Sequence, residues 1–218
     1  MQTFRILVAA LTTIATFCIS ESSQASYREY KSIGQNRMEF DAPTLAPLAY
    51  TRFCLRYEDE CQRAPAQLDP AQTDQAQAPE IYGPFVTDFS GKTQLVEVNR
   101  LVNRTIAARR YIGTAAFDSW TIAPEAGDCN DYAITKRSLL RQSGWPAERL
   151  LLAEVQIPSG EHHLVLVVRL DDEDVVLDNL SGAVRNWTKS PYRWIRTQSP
   201  TQAHIWQTLR RRGTDLLS

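Results

Sequence analysis

The sequence predicts an α+β domain in which N-terminal helices pack on an antiparallel β-sheet. Three observations predict it: apolar residues at helical spacing over 92–109, a second helical stretch over 128–142, and three later apolar runs parted by turn-forming residues. With 218 residues, 43% of them hydrophobic, the chain can bury one sizeable core. A formal net charge of −1 gives no electrostatic footprint for nucleic acid or an anionic membrane surface, and neither partner is expected.

At the N-terminus, Arg5 precedes an apolar run from Ile6 to Ile19, and Ser23-Gln24-Ala25 places small residues at both positions that direct leader cleavage. Residues 1–25 are therefore expected to be a signal peptide, and 26–218 a single exported domain, periplasmic or secreted. The apolar run falls short of the roughly 20 residues that span a bilayer as a helix. Phe17 is too bulky before Cys18 for lipid attachment. From Ser26 to Tyr50 the chain is polar, is broken by Pro43 and Pro47, and is expected to wrap the surface. Pro65, Pro70 and Pro79 forbid a long helix over 62–80, which reads as an exposed loop.

Leu95, Val98, Leu101, Val102 and Ile106 recur at helical spacing, with Glu97, Arg100, Arg104 and Arg109 between them, so 92–109 reads as an amphipathic helix. The next helix should run from 128 to 142. Asp128 suits its N-cap, Ala133, Ile134, Leu139 and Leu140 its buried face, and Gly144 its end, with Pro146 beyond. The strand-like runs Leu150–Ile157, His163–Leu170 and Val175–Leu180 follow. Pro158-Ser159-Gly160 and Asp171-Asp172-Glu173-Asp174 separate them, so an antiparallel meander is the simplest arrangement. Beyond Pro200, Ile205 and Leu209 with the basic Arg210-Arg211-Arg212 predict a short C-terminal helix.

Of the four cysteines, Cys18 falls in the leader, which leaves Cys54, Cys61 and Cys129 in an oxidising compartment. That odd count suggests one disulfide, with Cys54 and Cys61 the natural pair, and a free thiol at Cys129. Cys129 stands in Gly127-Asp128-Cys129-Asn130-Asp131-Tyr132, where a glycine-led loop becomes a helix. Unpaired N–H groups and the macrodipole there favour negative charge. A free thiol titrates near ~8.5, so ionising one at neutral pH costs about 2 kcal/mol; a helix start supplies ~0.3–1 kcal/mol and a paired imidazolium the rest. A buried, inert thiol is the alternative.

Among three histidines, His162 and His163 are adjacent at the start of a strand, so they point to opposite faces and one can face the cysteine helix. Asp178 is embedded in the apolar run Val175-Val176-Leu177-Asp178-Asn179, where a buried carboxylate needs a partner such as an imidazole. A strand-end aspartate capping a turn is the alternative. A two- or four-residue loop between the last two strands puts His163 and Asp178 on one face, and a three-residue loop does not. A turn centred on Asp172-Glu173 would leave them about 13 Å apart along the strands, so an earlier turn or a bulge is required.

These residues resemble the bacterial transglutaminase-like cysteine peptidases, the family that includes the LapG-type periplasmic proteases. The resemblance spans roughly Trp120 to Trp187. It rests on Trp120, Gly127-Asp128-Cys129-x-Asp131-Tyr132-Ala133 with Lys136, His163-Leu164-Val165-Leu166, and Leu177-Asp178-Asn179-Leu180. The segment Phe53-Cys54…Cys61 also resembles exported members. The family implies a papain-like, transglutaminase-like fold with Cys129 as nucleophile, His163 as general base and Asp178 as the orienting carboxylate. The backbone N–H of Cys129 and the indole N–H of Trp120 would be oxyanion donors.

The same resemblance implies an exported cysteine endopeptidase acting on a protein or peptide, such as a surface adhesin, under a membrane-anchored regulatory protein. An amidase or acyl transferase with the same triad is a second reading, and a non-catalytic periplasmic module binding peptide or calcium is a third. The chemistry requires no cofactor. Calcium is implied at residues flanking the cysteine, here Asp128, Asn130 and Asp131, where Asn130 stands in place of the family's glutamate and lowers the charge of the ligand set.

Overall fold

The computed structural model describes residues 36–62, 91–109 and 119–210. The expected leader at 1–25 and all but the first residue of the proline-punctuated stretch at 62–80 lie outside the described residues. Among these, no helix is long and apolar enough to cross a membrane.

Strand β1 (Phe40–Thr44) leads into helices α1 (Leu48–Arg56), α2 (Glu58–Cys61) and α3 (Lys92–Thr105). The short strands β2 (Ala107–Ala108) and β3 (Ala126–Gly127) precede helix α4 (Cys129–Gln142). The rest is strand: β4 (Leu150–Gln156), β5 (His162–Arg169), β6 (Asp174–Leu177), β7 (Arg185–Asn186), β8 (Arg193–Gln198) and β9 (Trp206–Leu209). One antiparallel sheet has the order β1-β9-β8-β4-β5-β6-β7, and β2 pairs with β3 in parallel. This is the α+β architecture, with β4-β5-β6 as its central meander.

Both faces of the central strands are covered. Leu150, Leu152, Leu164, Leu166 and Leu177 join residues of α3 and α4 in the larger core, while Leu151, Ala153, Val165 and Val167 meet Met38 and Trp187 in a smaller one. That is why β5 reads as an unbroken apolar run with no polar alternation.

Helix α4 lies against this sheet, and Asp131 through Leu140 are all buried. Its start is fixed by Asp128, whose Oδ1 accepts from the N–H of Asn130 at 3.0 Å. Its end is followed by Gly144 at φ +89°, a left-handed conformation that suits glycine. The buried Arg137 guanidinium donates to Leu150 O at 3.2 Å and to the backbone O and Oε2 of Glu60 at 2.6 and 2.7 Å. Glu60 is presented by the α1–α2 corner, which the Cys54–Cys61 disulfide closes.

Three expectations are corrected. Among the described residues no helix forms beyond Pro200: residues 206–209 are strand β9, because Trp206 is fully buried, edge-on to Tyr50, and an extended chain fills the gap between β1 and β8. The segment before Tyr50 does more than wrap the surface, since β1 is an edge strand of the sheet and Met38 is core. The helix over 92–109 stops at Thr105: Ile106 is extended, and Ala107–Ala108 pairs with β3.

Replacing both Cys54 and Cys61 by alanine opens a loop of about eight residues, for which the chain-entropy model gives roughly 2.5 kcal/mol. Denaturant unfolding of the double variant is expected to show that loss. Unchanged stability would mean that the ion pairs of Glu60 hold the corner alone.

Candidate active site

The loop before α4 is built by one carboxylate. Asp131 Oδ2 accepts from the Asp128 N–H at 3.0 Å, which completes a capping box with Asp128. Its Oδ1 accepts from the Thr121 N–H at 2.8 Å, and the Arg109 guanidinium stands 3.5 Å from Oδ2. Gly127 is glycine for the same reason: a Cβ there would lie 2.5 Å from Asp131 Oδ2. Burial raises the Asp131 carboxyl to about 6 despite the two N–H donors. Cys129 is the first residue of α4 and the free cysteine among the described residues. Its backbone N–H has no intrahelical acceptor at that position.

The register of β5 and β6 brings the other two residues together. Arg169 pairs with Asp174 and Leu166 with Leu177, so the turn is the four residues Leu170–Glu173, closed by Leu170 N–H to Glu173 O at 2.8 Å. It is centred one residue earlier than Asp172-Glu173. Extending the register sets Asp178 opposite Val165, hence diagonal to His163 and on its face, about 7 Å along the strand. His163 Nε2 donates to Asp178 Oδ1 at 2.8 Å, and both residues are buried. The other ring nitrogen, Nδ1, is left for Cys129, whose thiol acts on the ring and raises it. His162 is exposed and pairs with Glu154 at 2.5 Å, away from this cluster.

Burial alone would lower the His163 imidazole, but the hydrogen bonds to Asp178 and Cys129 outweigh it and raise the ring to about 9. Burial pushes Asp178 up, and the donors His163, Tyr192 and the Leu180 N–H together hold it below the usual carboxylate range. Tyr192 has no signal in the sequence: it follows Pro191 in an irregular stretch, and only the folded chain sets its hydroxyl against Asp178 Oδ2. Trp120 packs on Tyr50 and Phe53, and its indole N–H is buried without an acceptor among the described residues.

Lys136 lies two turns beyond Cys129 on α4. Its ammonium is fully buried, with no hydrogen-bond partner among the described residues and the Tyr132 ring centroid 5.9 Å away. Burial lowers it to about 7, while the charge of Asp178 pulls it back up.

Residues 40–214 match the family model described as bacterial transglutaminase-like cysteine proteinase BTLCP. The chain belongs to that family. It is a cysteine peptidase. Calcium-bound LapG of Legionella pneumophila is similar over 56% of this chain and 72% of that one, with 22% identity and a TM-score of 0.47. The EGTA-treated form is similar over 49% and 62%, with 24% identity and a TM-score of 0.43. No curated protein matches the chain.

Asp128, Asn130 and Asp131 do not fit a calcium site as they are arranged. Both oxygens of Asp131 are committed to backbone N–H donors, a guanidinium stands beside them, and Asp128 Oδ1 caps the helix. Among the described residues no group of three His, Cys, Asp or Glu side chains could hold a metal ion. Excess calcium and excess chelator are therefore expected to give the same melting temperature. A calcium-dependent rise would mean that Asp131 exchanges its N–H partners for metal.

The buried lysine makes a second prediction. A folded pKa of about 7 lies below the ordinary 10.5 of lysine, so the penalty is complete below pH 7 and fades as pH rises toward 10. Lys136→Met is expected to stabilise the fold by about 1–3 kcal/mol at pH 6, the usual scale for replacing a buried charge by an apolar side chain. Unfolding at pH 6 and pH 9 should show the gain shrinking at the higher pH. An equal gain at both would mean that packing, not charge, is responsible.

Proposed function

We propose that this protein is an exported cysteine endopeptidase whose mature domain is 26–218, with residues 1–25 as its signal peptide, and that Cys129, His163 and Asp178 carry the reaction. One observation supports this most: an imidazole held at 2.8 Å by a buried aspartate is also raised by a free thiol at a helix start.

In this reading the Cys129 thiolate attacks the scissile carbonyl, and the negative oxygen that forms is met by the backbone N–H of Cys129 at the positive end of α4. The Trp120 indole N–H, which lacks an acceptor among the described residues, is the candidate for a second donor. The imidazolium of His163 gives its proton to the leaving amine, then takes one from the water that resolves the acyl-enzyme. Asp178 fixes the tautomer and offsets the positive charge on the ring. Calcium has no step in this reaction. The substrate class is a protein of the cell surface, such as an adhesin, met in the periplasm, with a membrane-anchored regulatory protein as a partner.

A comparison of exported and surface proteins from cells with wild-type enzyme and with Cys129→Ala tests this directly. The expected result is at least one new protein N-terminus that requires Cys129. His163→Ala is expected to slow its appearance by about 10²–10⁴-fold, the usual worth of a general acid–base. Because His163 is raised to about 9, the imidazolium is present below that pH and lost above it, so activity should fall on an alkaline limb near pH 9. Cleavage that survives Cys129→Ala would overturn the assignment. Acyl products on added amines, with no free carboxylate, would make the enzyme a transferase.

A further inference from the structure

Asp178 has two carboxylate oxygens, and their partners differ. Oδ1 accepts from His163 Nε2 at 2.8 Å and from the Leu180 N–H at 3.0 Å. Oδ2 accepts from the hydroxyl of Tyr192. The Tyr192 ring also stands edge-on to the His163 ring, with centroids 6.0 Å apart and planes at 66°. One side chain therefore touches both members of the pair, with its hydroxyl on the carboxylate and its ring on the imidazole. It comes from the irregular chain between β7 and β8, outside the strands that carry His163 and Asp178.

We infer that Tyr192 is a positioning residue for the peptidase reaction: its hydroxyl fixes the plane of the Asp178 carboxylate, and its ring fixes the plane of the His163 imidazole. Without the hydroxyl, Oδ2 would be a carboxylate oxygen without that donor in a residue only 4% exposed, and only the two donors on Oδ1 would resist a turn about the last side-chain bond. Turning it takes Oδ1 away from Nε2. The imidazole then loses the hydrogen bond that aims its other nitrogen at Cys129. Burial and the neighbouring Asp178 charge both raise the Tyr192 phenol, so it is a donor at every working pH. Among the described residues, the other titratable groups whose charge acts on this cluster are Cys129 at His163, Lys136 at Asp178 and Arg185 at Tyr192.

The inference rests on the Cys129–His163–Asp178 reading, and the experiment separates the two. Tyr192→Phe keeps the ring and removes one oxygen, whereas Tyr192→Leu removes both contacts. Rates are normalised to titrated Cys129 thiol in protein of confirmed melting temperature. Tyr192→Phe is expected to lower kcat by about 10-fold with KM unchanged. It should also move the acidic limb of the rate to higher pH, since a carboxylate that loses a donor protonates more readily. Tyr192→Leu should lose several-fold more in kcat. Wild-type kcat and an unmoved limb in Tyr192→Phe, with Cys129→Ala inactive, would overturn the Tyr192 role and leave the triad standing. A rise in KM alone would also overturn it, because it would place Tyr192 in substrate binding. Full activity in Cys129→Ala would overturn both readings.

Discussion

Asp131 accepts N–H bonds from Thr121 and Asp128, presses on Gly127 and faces Arg109, so segments from three places in the chain meet on one carboxylate. The described part of the loop into α4, residues 119–128, has no regular structure beyond the two-residue β3, and its part-buried backbone donors need partners. Asp131 satisfies two of them. The start of α4, and with it the sulfur of Cys129, is held by this knot, not by the helix alone. Raising Asp131 to about 6 is the cost of burying the group, and the N–H donors offset much of it. The helix start is thus held by Asp131 together with the Asp128 cap, two side chains that perform no chemistry.

The core carries more charge than its size suggests, and the charges differ in how they are met. Arg137 has Glu60 and two backbone oxygens; Asp174 accepts the Met38 N–H at 2.7 Å and faces Arg169 at 3.4 Å. Pairs of this kind cost little once formed, because each polar atom finds a partner. Lys136 lacks that compensation among the described residues, and the charge of Asp178 acts on it. A destabilising group beside the proposed catalytic residues is the pattern expected where local stability is given up for electrostatics.

Much of the site was legible because its signals are local. Asp128 and Gly144 delimit α4 through capping rules that act over a few residues, and the apolar runs of β4, β5 and β6 stand between turn formers. Cys129, His163 and Asp178 stand out as candidates by chemistry, as a leftover thiol, a strand-end histidine and a carboxylate in an apolar strand, and the family resemblance supplies their roles. What could not be read depends on distant pairing. Residues 206–209 are a strand because β1 and β8 leave room for one, and a helix-like spacing of Ile205 and Leu209 says nothing of that. Tyr192 and Thr121 enter the cluster only through tertiary contact, with no spacing that could announce them.

The turn between β5 and β6 links the two kinds of information. Four residues, Leu170–Glu173, put Asp178 diagonal to His163 on the same face. One residue more or fewer would send the Asp178 side chain to the opposite face, because strand alternation has a period of two. Two more would keep the face but lengthen the offset, beyond the reach of a carboxylate to Nε2. The polar run Asp171-Asp172-Glu173 therefore sets the length of a connection on which the His163–Asp178 hydrogen bond depends, although none of its side chains touches that pair. Tyr192 then acts on a geometry that the turn has already made possible, by closing the one carboxylate oxygen that neither the register nor the Leu180 N–H controls.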